Sequence, residues 1–507
     1  MTNFKTLFSI SIFILILANS NITSANESND VDYRTRLNGL DERIDKALSD
    51  FNLPGLAIAV VADGKVIKSS GYGLRDTQKG LPVTENTQFT IGSSTKAFTS
   101  FMIGTLVDEK KLGWDTPVKS LLPEWQTKEP YVTQNTTVRD LLSHRTGLSR
   151  HELIWLANPD LTAKGLLEKL PHLELGKQFR EGFIYNNLAY AIAGILAEKV
   201  TGQEWEALVK TRILDKLRMD NTTLERTSMF NLNNFALPYT ESDNQLELNG
   251  FNESLTDVMR PAGSINSSVK DMAKWLKMIV ASGEFNQEQL INPNTLSAIQ
   301  SPHTAISPFV GSKDNSPLHY ALGWFTRSYR GHYQVQHGGN DIGFSSAMFT
   351  YPSQNIGIVV LTNKHASPVP HALSLEISDM LLNLEPRNHI EKSLNRRNTA
   401  NSQQVKNADH KAKGNVDNLA DYVGTYSHPG YGRLEIKEIN GELELTYHNL
   451  KERFVFESKN SFNSVNSHHL GLFDGESLTF EQNKNGKITS VNTPFDFPNV
   501  INFVKDI

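Results

Sequence analysis

Phe89-Thr90-Ile91-Gly92-Ser93-Ser94-Thr95-Lys96-Ala97-Phe98-Thr99 is the stretch from which the rest of the chain is read. A short apolar lead ends in glycine, and Phe98, Met102 and Leu106 then recur at four-residue steps, one face of a helix. Ser93 therefore opens a predicted helix, where free N–H groups and the positive dipole end stabilise an oxyanion. Lys96, three residues on, lies on the same face. A lysine held in apolar, positive surroundings can lose its proton and accept that of the hydroxyl. A helix cap beside a solvated lysine fits these residues equally well, and on them alone the two readings stand level. A second Ser-x-x-Lys, Ser267 and Lys270, differs in context. Ser268 and Asp271 precede Met272, Trp275, Leu276 and Ile279, the pattern of a helix N-cap with an acidic third position.

Two further clusters could carry chemistry. Tyr185-Asn186-Asn187 precedes an apolar run over 188–200. A tyrosine beside a cationic lysine can act as acid or base, and Asn187 can orient the lysine or donate to a substrate amide. Its plain alternative is a loop with an asparagine cap, and Tyr447-His448-Asn449 in the C-terminal part shows how readily such a triplet occurs. His337-Gly338-Gly339-Asn340 ends a predicted strand, Tyr333 to Gln336, and paired glycines at a strand edge permit close approach of a ligand. The N–H of Asn340 would then join that of Ser93 as an oxyanion donor. The alternative is a glycine-rich turn.

In this order, Ser93-x-x-Lys96, Tyr185-x-Asn187 and His337-Gly338-Gly339 resemble the three signature motifs of the penicillin-recognising serine hydrolases, and more narrowly the class C β-lactamase-like branch, whose middle motif is Tyr-x-Asn. The flanking segments Leu141-Leu142-Ser143-His144-Arg145-Thr146-Gly147-Leu148 and Pro261-Ala262-Gly263-Ser264 agree. The resemblance spans about residues 37–384. It implies an acyl-enzyme on Ser93, proton shuttling by Lys96 and Tyr185 with the base left open, and substrate contact by Asn187 and the His337-Gly338-Gly339-Asn340 segment. It implies no metal and no cofactor. One departure stands out: penicillin-degrading relatives usually carry Lys, then Ser or Thr, then Gly in the third motif, whereas His337 and Gly338 stand here. Histidine, with an ordinary pKa of about 6.5, is mostly neutral at pH 7, so poor β-lactam turnover is expected. The tail from Tyr422-Val423-Gly424-Thr425-Tyr426 looks like the lipocalin-like β-domain of some members. His144 reads as a hydrogen-bonded structural residue. There is no His-Glu-x-x-His spacing and no Gly-x-Ser-x-Gly elbow.

The surrounding chain fits an α+β architecture. Leu37, Leu40, Ile44, Leu48 and Phe51 mark one helix face. The apolar run 56–61, Asp63-Gly64 and residues 65–70 read as a hairpin. The middle is largely helical, including 188–200 and 272–280. Short strands return at 321–325, 333–337, 344–350 and 356–361, and 370–384 reads as a closing helix. This order predicts one antiparallel sheet flanked by helices, with strands from both ends of a domain over 33–384, and a helical subdomain. Residues 385–418 are polar and read as a linker or disordered segment. From 419 to 507 the apolar period changes to two, as in Leu434, Ile436, Leu443 and Leu445, with turns at Asn440-Gly441, Asp474-Gly475 and Asn485-Gly486, predicting a small all-β barrel-like domain.

Composition narrows the function classes. The chain has 507 residues, 38% of them hydrophobic, enough for two or more domains. The net charge of −5, without a long basic tract, offers nothing to nucleic acid. There is no cysteine, so thiol nucleophiles, thiolate metal sites and disulfides are excluded. Lys5, the apolar run over 7–17 and Thr23-Ser24-Ala25 read as a signal peptide over 1–25, cut after Ala25; the run is short for a membrane span of about 20 residues. The expectation is an exported protein, periplasmic or secreted, free of the membrane after cleavage, acting on a small molecule or peptide. Three activities remain open: hydrolysis of esters or short peptides, D-configured ones included; carboxypeptidase or endopeptidase action on peptidoglycan, with weak β-lactamase activity beside it; and penicillin binding or sensing without turnover.

Overall fold

The computed structural model describes residues 31–242, 245–249, 256–306, 313–407, 418–464, 473, 475–496 and 499–506. The expected leader over 1–25 and the turn residue Asp474 lie outside them.

The sheet is built around two fully buried strands, β1 (Gly55–Ala62) and β9 (Ile356–Thr362), one from each end of the first domain. Leu56, Ile58 and Val60 face one core and Ala57, Ala59 and Val61 the other, as the two-residue period of a strand requires. After β1 come β2 (Lys65–Asp76) and β3 (Leu81–Pro82); before β9 come β4 (Thr304–Ala305), β5 (His319–Tyr320), β6 (Phe325–Tyr329), β7 (His332–Asp341) and β8 (Phe344–Tyr351). The order is β4-β5-β6-β7-β8-β9-β1-β2-β3, antiparallel throughout. Asp63 (φ +45) and Gly64 (φ +71) supply the two left-handed residues of the β1–β2 turn.

Helix α1 (Leu40–Asp50) lays Leu40, Ile44 and Ala47 on one face of the sheet. On the other lie α2 (Thr95–Asp108) and α4 (Val269–Val280), where Trp275 stacks on Phe98 with ring centroids 3.9 Å apart. Helix α3 (Asn187–Thr201) belongs to the helical subdomain and stops at Gly202, which is left-handed at φ +71. Helix α5 (Val369–Leu381) closes the domain beside α1.

Three sequence expectations change. Residues 321–324 are not a strand, and only Phe325 of the expected run is, as the start of β6: Ala321 to Trp324 form a turn between β5 and β6, because the chain bends at Gly323 (φ +79), where a Cβ would stand 2.7 Å from the Lys96 carbonyl. The His337-Gly338-Gly339-Asn340 segment neither ends a strand nor forms a turn. It lies inside β7, with His337 opposite Met348 and Asn340 opposite Ser345. The polar segment read as a linker or disordered contains helix α6 (His389–Asn407). Ile390 packs into the α1–α5 core, and Arg397 bonds to Glu241 and the Asp50 carbonyl. Composition hid this because Ile390 and Leu394 are the few apolar anchors the helix needs.

The C-terminal strands run β10 (Gly424–His428), β11 (Gly432–Ile439), β12 (Glu442–Tyr447), β13 (Leu450–Ser458), β14 (Ser461–Ser464), β15 (Ser477–Gln482), β16 (Ile488–Asp496) and β17 (Asn499–Lys505). Each pairs with the next, and β17 returns to β10, closing an eight-stranded barrel that leaves no free edge. Asn440 (φ +56) and Gly441 (φ +82) make the predicted β11–β12 turn. Among the described residues no helix is long and apolar enough to cross a membrane.

Candidate active site

Ser93 sits in a single 3₁₀ turn, Gly92–Ser94, that runs into α2. Two glycines let this turn lie against β7. Gly92 is left-handed at φ +52, and a Cβ on it would stand 2.9 Å from the Asn340 carbonyl oxygen. A Cβ on Gly339 would stand 1.9 Å from the Ile91 carbonyl oxygen. The glycine is thus required by the approach of the backbone that leads into Ser93. Ser346 of β8 fixes the same turn, its hydroxyl donating to the Ile91 carbonyl at 2.7 Å.

Lys96 is fully buried on the first turn of α2. Its Nζ lies 3.2 Å from Ser93 Oγ, 2.7 Å from Asn187 Oδ1 and 2.7 Å from the Ala262 carbonyl oxygen. The Tyr185 and Tyr190 rings stand 4.8 and 5.3 Å from it. Burial pushes its pKa well below that of an ordinary lysine; Glu152 opposes this and Arg150 adds to it. The amide orientation of Asn187 follows from Glu152, whose two carboxylate oxygens accept from Asn187 Nδ2 at 3.2 and 3.1 Å, leaving Oδ1 for the lysine. Arg150 pairs with Glu152 at 3.0 Å and lies 5.4 Å from the Tyr185 ring centroid. A chain of contacts therefore runs Arg150, Glu152, Asn187, Lys96, Ser93.

The geometry specifies what this lysine can do. A neutral amine has two N–H groups and one lone pair. Asn187 Oδ1 and the Ala262 carbonyl accept only, so they take the two hydrogens, and the lone pair is left toward Ser93 Oγ.

Tyr185 lies just before α3, its hydroxyl buried and without a hydrogen bond among the described residues. Burial raises its pKa well above the ordinary tyrosine value, and the neighbouring Ser93 hydroxyl only partly offsets this. His337 is buried beneath the site. Its Nε2 accepts from the Tyr320 hydroxyl at 3.0 Å, and its Nδ1 donates to the Gly338 carbonyl at 2.6 Å. Burial first, and then Lys96, push its pKa down to about 3, so it is neutral at physiological pH and supplies no cation. His144, left-handed at φ +56, accepts the Asn186 N–H on Nδ1 at 3.1 Å and so holds the backbone beside Tyr185. The Asn340 backbone lies against Gly92, and its side chain accepts from the Ser345 hydroxyl at 2.9 Å.

The fold brings the residues of the three motifs together, and it places the second Ser-x-x-Lys and the Tyr447-His448-Asn449 triplet elsewhere. Ser267 Oγ pairs with Thr222 Oγ1 at 2.8 Å, Lys270 bridges to Glu85 at 3.1 Å, and Ser268 caps α4 through the Asp271 N–H. Tyr447-His448-Asn449 forms the β12–β13 turn of the barrel, with His448 at φ +50. Sequence reasoning missed Arg150, Glu152, Tyr320 and the Ala262 carbonyl. Only Ala262 fell in a segment already noticed, and a backbone acceptor leaves no mark on residue type.

Among the described residues, one group has metal-ligand proximity: Glu198, Glu204 and Glu206, with carboxylate oxygens within 4.8 Å of one another. They edge a cavity of about 900 Å³ that Ser93, Lys96 and Tyr185 do not line. Glu206 is bound to Arg260, and Glu198 accepts the Trp205 N–H at 2.9 Å, so two of the three are already engaged.

The fold and this arrangement define a serine hydrolase of the penicillin-recognising kind. The chain belongs to the beta-lactamase family, which it matches over residues 40–376. Residues 408–505 match a domain of unknown function, DUF3471, which is seen here as the eight-stranded barrel. Among similar proteins is the unguisins hydrolase ungD' of Aspergillus campestris (strain IBT 28561), 29% identical over 433 residues, covering 78% of this chain and 76% of that protein. Protein flp of Staphylococcus aureus (strain MW2) is 28% identical over 339 residues, 65% of this chain and 64% of that one. The octameric penicillin-binding protein homologue from Pyrococcus abyssi shares the fold, with a TM-score of 0.60 at 20% identity, over 92% of this chain and 99% of that chain.

Proposed function

We propose that the protein is an exported hydrolase of esters or amides, acting on small or D-amino-acid-containing substrates through an acyl-enzyme on Ser93. The observation that carries this reading is the Lys96 amine, buried, bound by two pure acceptors, and 3.2 Å from Ser93 Oγ. The Lys96 lone pair takes the hydroxyl proton as Oγ attacks the carbonyl. The N–H groups of Ser93 and Asn340 hold the tetrahedral oxyanion. Tyr185, kept in its phenol form by burial, passes a proton to the leaving group and is recharged from Lys96. Water then attacks the acyl carbon and releases the acid.

The raised pKa of Tyr185 and the lowered pKa of Lys96 favour the lysine as base in the free enzyme. Neutral His337 stands where β-lactam-degrading relatives usually carry lysine, which supports poor β-lactam turnover. The unguisins hydrolases among the relatives favour turnover over capture. The apolar run over 7–17 supports export to the periplasm or medium.

Labelling of the mature protein with a fluorophosphonate probe, followed by peptide mapping, tests the site. Label is expected on Ser93, lost in Ser93→Ala and retained in Ser267→Ala. Ester, D-peptide, peptidoglycan and penicillin substrates then rank the activities by kcat/KM. A folded protein that takes no label, or takes it on Ser267, overturns the proposal; an acyl-enzyme that forms with every substrate and never turns over makes the protein a sensor.

A further inference from the structure

The barrel meets the segment that carries Arg150 and Glu152 at His151. His151 lies between Arg150 and Glu152, fully buried, with a left-handed backbone at φ +49. That conformation is uncommon for a residue with a side chain and persists where contacts hold it. Its backbone N–H donates to Asp496 Oδ1 at 2.8 Å. Its Nδ1 accepts from the Tyr431 hydroxyl at 2.8 Å, and its Nε2 donates to the Glu174 carbonyl at 2.9 Å. Two of these three partners belong to the barrel. Next along the seam, Asn499 Nδ2 donates to Ser149 Oγ at 3.1 Å. The barrel is firm at this end: the rings of Tyr431, Tyr447, Phe495 and Phe503 pack together, with Phe495 centroids 5.0 to 5.8 Å from the other three.

The residues on either side of His151 serve the catalytic groups. Arg150 lies over the Tyr185 ring, and Glu152 takes both bonds from Asn187, which orients Lys96. A left-handed turn released from Asp496 and Tyr431 would relax, and Glu152 would leave Asn187.

We propose that the barrel positions the catalytic machinery, with Tyr431 and Asp496 pinning His151 so that Glu152 holds Asn187 and Asn187 holds Lys96. His151, Tyr431 and Asp496 are positioning residues. This inference rests on the proposed role of Ser93 and Lys96.

The test uses the full chain and a double-mutant cycle. Tyr431→Phe removes one hydroxyl and no packing. Tyr426→Phe is the matched control, since its hydroxyl donates only to the Tyr422 carbonyl within the barrel, at 2.6 Å. Tyr431→Phe is expected to slow fluorophosphonate labelling of Ser93 by about tenfold, within the range that small misplacements of catalytic groups cost. Tyr426→Phe should label at the wild-type rate. In a Glu152→Gln background, Tyr431→Phe should add less than about twofold, because contacts acting through one residue are not additive. Tyr431→Phe should also shift the acid limb of the rate in the same direction as Glu152→Gln, which a general loss of barrel stability would not do. Wild-type labelling in Tyr431→Phe, or full additivity with Glu152→Gln, overturns the inference. Amide exchange at His151 gives a reading independent of acylation: it should quicken in Asp496→Asn and in Tyr431→Phe, and unchanged exchange in both counts against the inference even if Ser93 proves unreactive.

Discussion

At Lys96, burial and two opposed charges set the protonation state. Burial lowers the pKa, Glu152 raises it and Arg150 lowers it, in that order of size. Acylation by the proposed route needs the neutral amine, so the rate should fall as pH drops through the Lys96 pKa and level off above it. Removing the Glu152 charge should carry this limb to lower pH, and Arg150→Ala should carry it higher. His337, neutral down to about pH 3, should contribute no limb between pH 5 and 9. Profiles of kcat/KM against pH for the three proteins check the signs; coincident profiles would show that neither charge acts on the lysine. Lys96→Ala should reduce kcat/KM by roughly 10²- to 10⁴-fold, the range for loss of a general base, with the fold intact by circular dichroism.

Among the elements, the contact of β7 with the 3₁₀ turn decides whether Ser93 is presented correctly. A methyl group at Gly339 would press on the Ile91 carbonyl, whereas at Gly338 the nearest atom is the Ser346 oxygen at 3.3 Å. Gly339→Ala should therefore cost about 1–3 kcal/mol, as overpacking does, and depress Ser93 labelling. Gly338→Ala should do much less of either. Thermal unfolding beside probe labelling separates them; equal behaviour would mean that β7 yields easily. The two glycines are adjacent in the motif, and only the tertiary neighbour of each tells them apart.

Across the whole molecule, His144, His151 and His337 are buried and hydrogen-bonded, and burial lowers the pKa of each. The unfolded chain takes up protons on these groups near pH 6.5, before the folded one does. Stability should therefore fall as pH drops below about 6.5, and for His337 the loss should continue to about pH 3, where the folded form also protonates. His337→Gln should flatten the pH dependence of the unfolding midpoint over this window; an unchanged slope would mean that its protonation is not linked to folding. His151 lies in the seam between the two domains, so acid should loosen the barrel contact along with the site beneath it.

What the sequence by itself determined is local. Ser93 and Lys96 share a face because helical geometry puts residues three apart together, and Asp63-Gly64 and Asn440-Gly441 turn because few other residues take positive φ in succession. The order of the three motifs was enough to point to the β-lactamase-like fold. Tertiary structure decided the rest. It gave Lys96 its two acceptors from α3 and from Ala262, and it buried His337 into neutrality. It set α6 as a helix through two apolar anchors, and it joined Glu152 to Asn187 and His151 to the barrel. Those contacts link residues dozens to hundreds of positions apart, and burial and hydrogen-bond partnership arise only once the chain has closed on itself.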